Sequence, residues 1–189
     1  RVPSRRAAQR SGLTQALGTF EGSMLIKAEL QEILHGQRGM IQGIRACLER
    51  ECMVSSVTLI YAMIDALAAL TRPVSDSRTS GSIFRGWLDK YADCSTLNCT
   101  SSELWGARCG VLHLYSPESD LSLRGRANTL YYQWQQGPAA DACVDLPSGS
   151  IVIKVEELFD FAIKAAKTFQ DVADNDKDMT CIIESHLRQ

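Results

Sequence analysis

Histidine, proline and net charge are scarce in this chain, and each scarcity closes off a class of function. Of 189 residues only three are histidine and five proline, and the formal net charge is −2. A protein that coats nucleic acid is normally strongly basic, so this balance argues against one while leaving room for a small local cationic site. The histidines stand far apart, at 35, 113 and 186, and form no His-Glu-x-x-His pair. Walker loops, Gly-x-Gly-x-x-Gly and Gly-x-Ser-x-Gly are missing too, which removes the usual phosphate cradles and the hydrolase nucleophile elbow. Asp174-Asn-Asp-Lys-Asp178 starts like a calcium loop, but Met179 and Ser185 stand where that loop needs Gly and Glu, so it reads as a polar turn. The longest apolar stretch, Val54 to Leu70, contains Ser55, Ser56, Thr58, Tyr61 and Asp65. It is shorter than the ~20 residues that span a bilayer, so a buried core helix is expected and no membrane.

Cysteine is present in some number. The seven residues, at 47, 52, 94, 99, 109, 143 and 181, are an odd set, several among apolar neighbours. There a free thiol behaves as a small hydrophobe. This reads as a chain of a reducing, cytoplasmic compartment without a disulfide framework. Cys94 and Cys99 form the one tight pair, with no second Cys/His pair at zinc-finger spacing, so neither a metal nor a cofactor is expected. His35, beside Gly36, reads as a helix C-cap partner, and His186 as a surface residue.

A 45% hydrophobic and 22% charged composition suits one globular domain with a substantial core. Residues 1–19, with Arg1, Arg5, Arg6 and Arg10, read as a basic, flexible terminus. Residues 20–189 read as a single α-helical domain with an insertion at about 123–155. Helical spacing is expected from Glu21 to His35, from Met40 to about Glu51 and over 53–70, the last apolar nearly all round and therefore central. Arg72-Pro73 ends it, and residues 75–82 form a surface loop. Ile83, Phe84, Trp87, Leu88 and Tyr91 mark a short amphipathic helix; Glu156 to Phe169 and Met179 to Leu187 mark two more. Thr129–Trp134 and Ser150–Val155 favour strands and are expected to pair as a small hairpin. The fold class expected is mainly α, a helical bundle with a β-hairpin insertion.

The most informative residues are Arg108-Cys-Gly-Val-Leu-His113. Thr100-Ser-Ser-Glu103 is a capping box, and Pro117 blocks continuation, so a helix over roughly 101 to 115 is bracketed on both sides. Within it a permanently charged guanidinium precedes, by five residues, the side chain type that titrates near neutral pH. Five helical steps separate the two by ~140°, so one helix is not expected to aim both at one small ligand, and a second surface is needed. Asp65 lies in the most apolar stretch of the chain. A lone buried carboxylate costs several kcal/mol unless paired, and Arg108 is its natural partner. A structural Asp–Arg tie and a functional site are both open on these grounds.

A helical bundle with Arg-x4-His near the end of a late helix resembles the HEPN (higher eukaryotes and prokaryotes nucleotide-binding) superfamily. The likeness covers the helical pattern between roughly residues 20 and 115. It implies a metal-independent endoribonuclease in which two copies of the motif meet across a homodimer interface, and so answers the angular problem. RNA is the implied substrate, and a protein partner such as an antitoxin, with a toxin or defence role, belongs to the same expectation. By that resemblance His113 serves as general acid or base, Arg108 binds phosphate, and Asp65 orients them. Trp87, Tyr91 and Trp105 would stack unpaired bases if they line the cleft, with core packing as the competing role; Tyr61 is grouped with the substrate-binding residues. Active members often carry Asn, Asp or His after the arginine, where this chain has Cys109, and the 123–155 block has no counterpart in a minimal HEPN domain. A non-catalytic dimeric interaction or nucleotide-binding module, and a plain helical scaffold, remain as alternatives.

Overall fold

The computed structural model describes residues 28–76, 78–114, 116–134 and 146–188. The basic terminus 1–19 and the middle of the 123–155 insertion lie outside the described residues. Helix α1 covers residues 28–35. It is followed by α2 (Met40–Glu49), α3 (Met53–Ala69), α4 (Gly81–Tyr91), a 3-10 turn (Cys94–Leu97), α5 (Ser101–Leu114) and α6 (Asp120–Leu123). Two strands, β1 (Leu130–Gln133) and β2 (Ile151–Lys154), precede α7 (Val155–Asn175) and α8 (Lys177–Leu187). The protein is mainly helical with one strand pair, as the sequence pattern expects. Among the described residues no helix is long and apolar enough to cross a membrane.

Helix α3 is the centre. It packs against α2, α4, α5 and α7. Val57, Ile60, Tyr61, Met63, Ile64, Leu67 and Ala68 are buried, and these positions take up nearly half of the helix circumference. The other face carries Val54, Ser55, Thr58, Ala62, Asp65, Ala66 and Ala69, half-buried or exposed. Each large apolar side chain enclosed here contributes about 2 kcal/mol relative to exposure. Amphipathic α7 closes the opposite side with Leu158, Phe161, Ala162, Ala165 and Phe169, the stripe read from the sequence.

The helix ends follow local chemistry. Ser80 caps α4 by accepting from the Ile83 N–H at 3.4 Å. Asn98 adopts a left-handed φ of 52° to leave the 3-10 turn, a conformation asparagine tolerates better than most residues. The Thr100 hydroxyl accepts from the Glu103 N–H at 3.3 Å while Glu103 Oε2 accepts from the Thr100 N–H at 2.7 Å, the expected capping box. Glu103 does more than cap: buried, it also accepts from the Asn128 side-chain amide at 2.6 Å and so ties α5 to the approach to β1. The turn after Asp174 is set by Asp176, whose carboxylate accepts from the Asp178 and Met179 N–H groups at the start of α8.

Three expectations are corrected. The strands do not form a hairpin: they run parallel, in register from Leu130 opposite Ile151 to Gln133 opposite Lys154. A parallel pair needs a connection of roughly a dozen residues or more, and 134–150 is long enough to supply it. His35 is no C-cap; its Nε2 meets Gln170 Oε1 at 2.9 Å, and Gln170 in turn donates to Gln31, joining α1 to α7. His186 is half-buried, with Nε2–H donating to the Arg72 carbonyl at 2.9 Å, so it fastens α8 to the end of α3.

The enclosure of α3 makes Ile64→Ala destabilising by about 3 kcal/mol, because the fully buried site cannot collapse completely. Ala66→Ser, two residues on but exposed, stays within roughly 0.5 kcal/mol of the parent. Urea unfolding of the two variants checks the contrast.

Candidate functional site

Asp65 leaves α3 on its open face, and Arg108 leaves the middle of α5 toward it. Arg108 Nη2 donates to Asp65 Oδ2 at 2.7 Å, with 14% and 24% of the two side chains exposed. The natural partner read from the sequence is therefore the partner found. The pair makes one of the two contacts that a guanidinium fork and a carboxylate can share. Arg108 Nε and Asp65 Oδ1 are both buried without a hydrogen-bond partner.

Arg108 also reaches along its own helix. Its Nη1 stands 3.0 Å from His113 Nε2. Arginine only donates, so this contact requires a neutral imidazole whose Nε2 accepts. The two side chains thus meet along one helix although they leave it far apart. The ~140° separation describes where side chains leave the backbone, and arginine's long flexible stem covers the rest. Asp65 and Arg108 are half-buried, while His113 is exposed.

Two features of α5 hold this geometry. Gly110 sits inside the motif because the chain folds back across it: a Cβ there would stand 2.8 Å from the Glu118 carbonyl. The Ser116 N–H donates to the Gly110 carbonyl at 3.3 Å and closes the reversal ahead of Pro117. Trp105, one turn before Arg108, lays its ring under the guanidinium with Cζ 5.1 Å from the ring centroid. The i, i+3 spacing was visible in the sequence, but the indole's contact with Arg108 was not read from it. Burial raises the pKa of the half-buried Cys109 thiol, against the opposing pull of the adjacent Arg108 charge.

The remaining aromatic candidates are not at the site. Trp87 is 2% exposed and packs against Tyr91 and Phe169, with centroids 5.5 and 5.9 Å away, so both Trp87 and the buried Tyr91 serve core packing. Tyr61 is fully buried, its hydroxyl 2.7 Å from that of Tyr132. Burial, then the neighbouring Tyr132, drives the Tyr61 pKa well above the ordinary phenol value. As substrate-binding residues Trp87 and Tyr61 are thus corrected to core; only Trp105 of the three stands beside the motif.

An apolar pocket of about 220 Å³ lies beyond the end of α5, lined by Met53, Val54, Val111, Pro117, Tyr131 and Tyr132 among others, and none of the Asp65–Arg108–His113 trio lines it. Cys94 and Cys99 hold their protons firmly, at about 11 and about 12, chiefly through burial. Among the described residues no three His, Cys, Asp or Glu side chains are grouped so as to hold a metal ion. No protein-family model, curated protein or solved structure matches this chain.

Removing one member of the ion pair strands the other in a half-buried place. Asp65→Ala is expected to cost about 2 kcal/mol in urea unfolding, and Asp65→Ala with Arg108→Leu to recover much of it. The cysteines predict an alkaline transition. Their folded-state pKa values lie above the ordinary 9.0, so the unfolded chain ionises first. Their contribution to stability is complete below pH 9 and falls as pH rises through about 11 and on to about 12. A Cys94→Ala, Cys99→Ala double variant should show a flatter urea midpoint across that window.

Proposed function

We propose that this chain is a HEPN-like, metal-independent endoribonuclease of the cytoplasm, acting as a homodimer with Asp65, Arg108 and His113 as its working residues. One observation carries the reading. A guanidinium anchored from behind by a carboxylate stands with Nη1 3.0 Å from Nε2 of an exposed imidazole. That is a phosphate binder beside a general base.

The chemistry follows from the contacts. A phosphodiester drawn to Arg108 competes for Nη1, and its arrival releases the His113 Nε2 lone pair. The imidazole then takes the proton of the RNA 2′-hydroxyl as that oxygen attacks the adjacent phosphorus. The bond from phosphorus to the 5′-oxygen breaks, leaving a 2′,3′-cyclic phosphate, and the departing oxygen receives a proton. In the proposed dimer that proton comes from His113 of the second copy, once it is freed from its own Arg108 and protonated. Arg108 stabilises the charge that builds on the non-bridging oxygens, and Asp65 keeps the guanidinium from swinging away. Trp105 supports Arg108 from one face and is itself half-buried.

A second reading, a non-catalytic dimeric interaction or nucleotide-binding module, is favoured by a separate observation. The Arg108 charge is already met by a carboxylate, an imidazole and an aromatic face, which is what a structural tie requires. A plain helical scaffold needs only the Asp65–Arg108 pair.

The decisive experiment is cleavage of mixed single-stranded and structured RNA in EDTA by the parent, Arg108→Ala and His113→Ala. Under the nuclease reading the parent leaves cyclic phosphate ends and each variant loses about 10²–10⁴-fold in rate. A folded dimeric parent that does not cut, or variants that cut as well as it does, transfers the site to the second reading.

A further inference from the structure

We propose that Trp105 is a positioning residue for Arg108, and that residue 81 is glycine so that the indole can take up this position. The inference rests on the nuclease reading and goes beyond it by adding a residue from a third helix to the site. Asp65 and His113 fix Arg108 at two of its nitrogens, both in the plane of the guanidinium. In-plane bonds leave the group free to tilt about the line that joins them. Arg108 Cζ stands over the Trp105 ring, 5.1 Å from its centroid, and this third contact, out of line with the other two, restricts that tilt. Tilt matters because bidentate binding of a phosphate needs the guanidinium plane aligned with the phosphate oxygens.

The indole is itself held. Phe84, fully buried on α4, packs on it with centroids 5.3 Å apart. At the first residue of α4 the Gly81 backbone comes so close that a Cβ would sit 2.7 Å from Trp105 Cε2 and 2.8 Å from Nε1. Gly81 is not in the left-handed φ region, where Gly125 and Gly149 are found, so its backbone conformation does not call for glycine. The reason is room for the ring. Alanine is the better helix former, so Gly81→Ala by itself would favour α4 while pushing the indole from its place.

The test compares the parent with Trp105→Leu, Trp105→Phe and Gly81→Ala, alongside Arg108→Ala. Arginine-labelled protein is followed by NMR, where the ring current of Trp105 displaces the Arg108 guanidinium N–H resonances. The same proteins are assayed for RNA cleavage, with kcat and KM separated. The expected result is that Trp105→Leu loses the ring-current displacement and about tenfold in kcat with little change in KM. Trp105→Phe, which keeps an aromatic face, restores most of both, and Gly81→Ala falls between. Arg108 resonances unmoved in Trp105→Leu overturn the proposal, whatever the activity. So does a Trp105→Leu protein that keeps the parent kcat while Arg108→Ala is inactive, an outcome that leaves the nuclease reading standing. If Arg108→Ala cuts as fast as the parent, the nuclease reading itself falls, and the positioning role falls with it.

Discussion

Enclosure of α3 is the constraint on which the rest of this structure depends. Four helices pack against it, and most of its large apolar side chains are turned into those contacts while Val54 stays exposed. The open face carries alanines with Ser55 and Thr58, and none of these offers a carboxylate a positive charge. Asp65 is the only charged residue α3 carries, and α5 supplies its counterion from the facing surface. The ion pair is therefore a consequence of how the bundle closes.

The degree of burial sets what that pair is worth. Fully exposed ion pairs contribute little, since water and salt screen them, while fully buried ones struggle to recover the cost of desolvation. Asp65 and Arg108 lie between, each with a minor part of its side chain in contact with solvent. Attraction there is stronger than in water, yet the charges remain accessible to an incoming anion. Adding Trp105 beneath and His113 beside the guanidinium makes one small cluster out of two helices, with a third helix behind the indole. Such a cluster suits either a rigid tie or a preorganised anion site, and its exposed imidazole is the part that a tie does not need.

Much of this was legible in the residues. Thr100, Glu103 and Pro117 mark the ends of α5 because caps and breakers act through neighbours along the chain. The partnership of Asp65 with Arg108 could be inferred because a charge in an apolar stretch must find an opposite charge. The orientation of α3 could not. An apolar helix offers no periodic contrast, and Ala62, Ala66 and Ala69 count as hydrophobic in any pattern although they face outward. For the same reason the exposure of His113 was not legible, since nothing near it in sequence shows that the last turn of α5 is left open. Trp87 and Trp105 look alike as letters, and only the packing of α4 against α5 sends one to the core and the other to Arg108.

The sequence by itself determined where α5 starts and stops, that the protein is mainly helical, and which two charges must meet. These follow from interactions within a few residues of one another or from a burial cost too large to leave unmet. Tertiary structure alone decided the parallel pairing of β1 and β2, because β-branched and aromatic strands pair in either direction and the route of the intervening chain selects one. It also decided that Arg108 and His113 touch within one chain, and that Trp105 and Gly81 belong beside them. Those outcomes depend on which faces pack together, a property of the assembled bundle that no single segment contains.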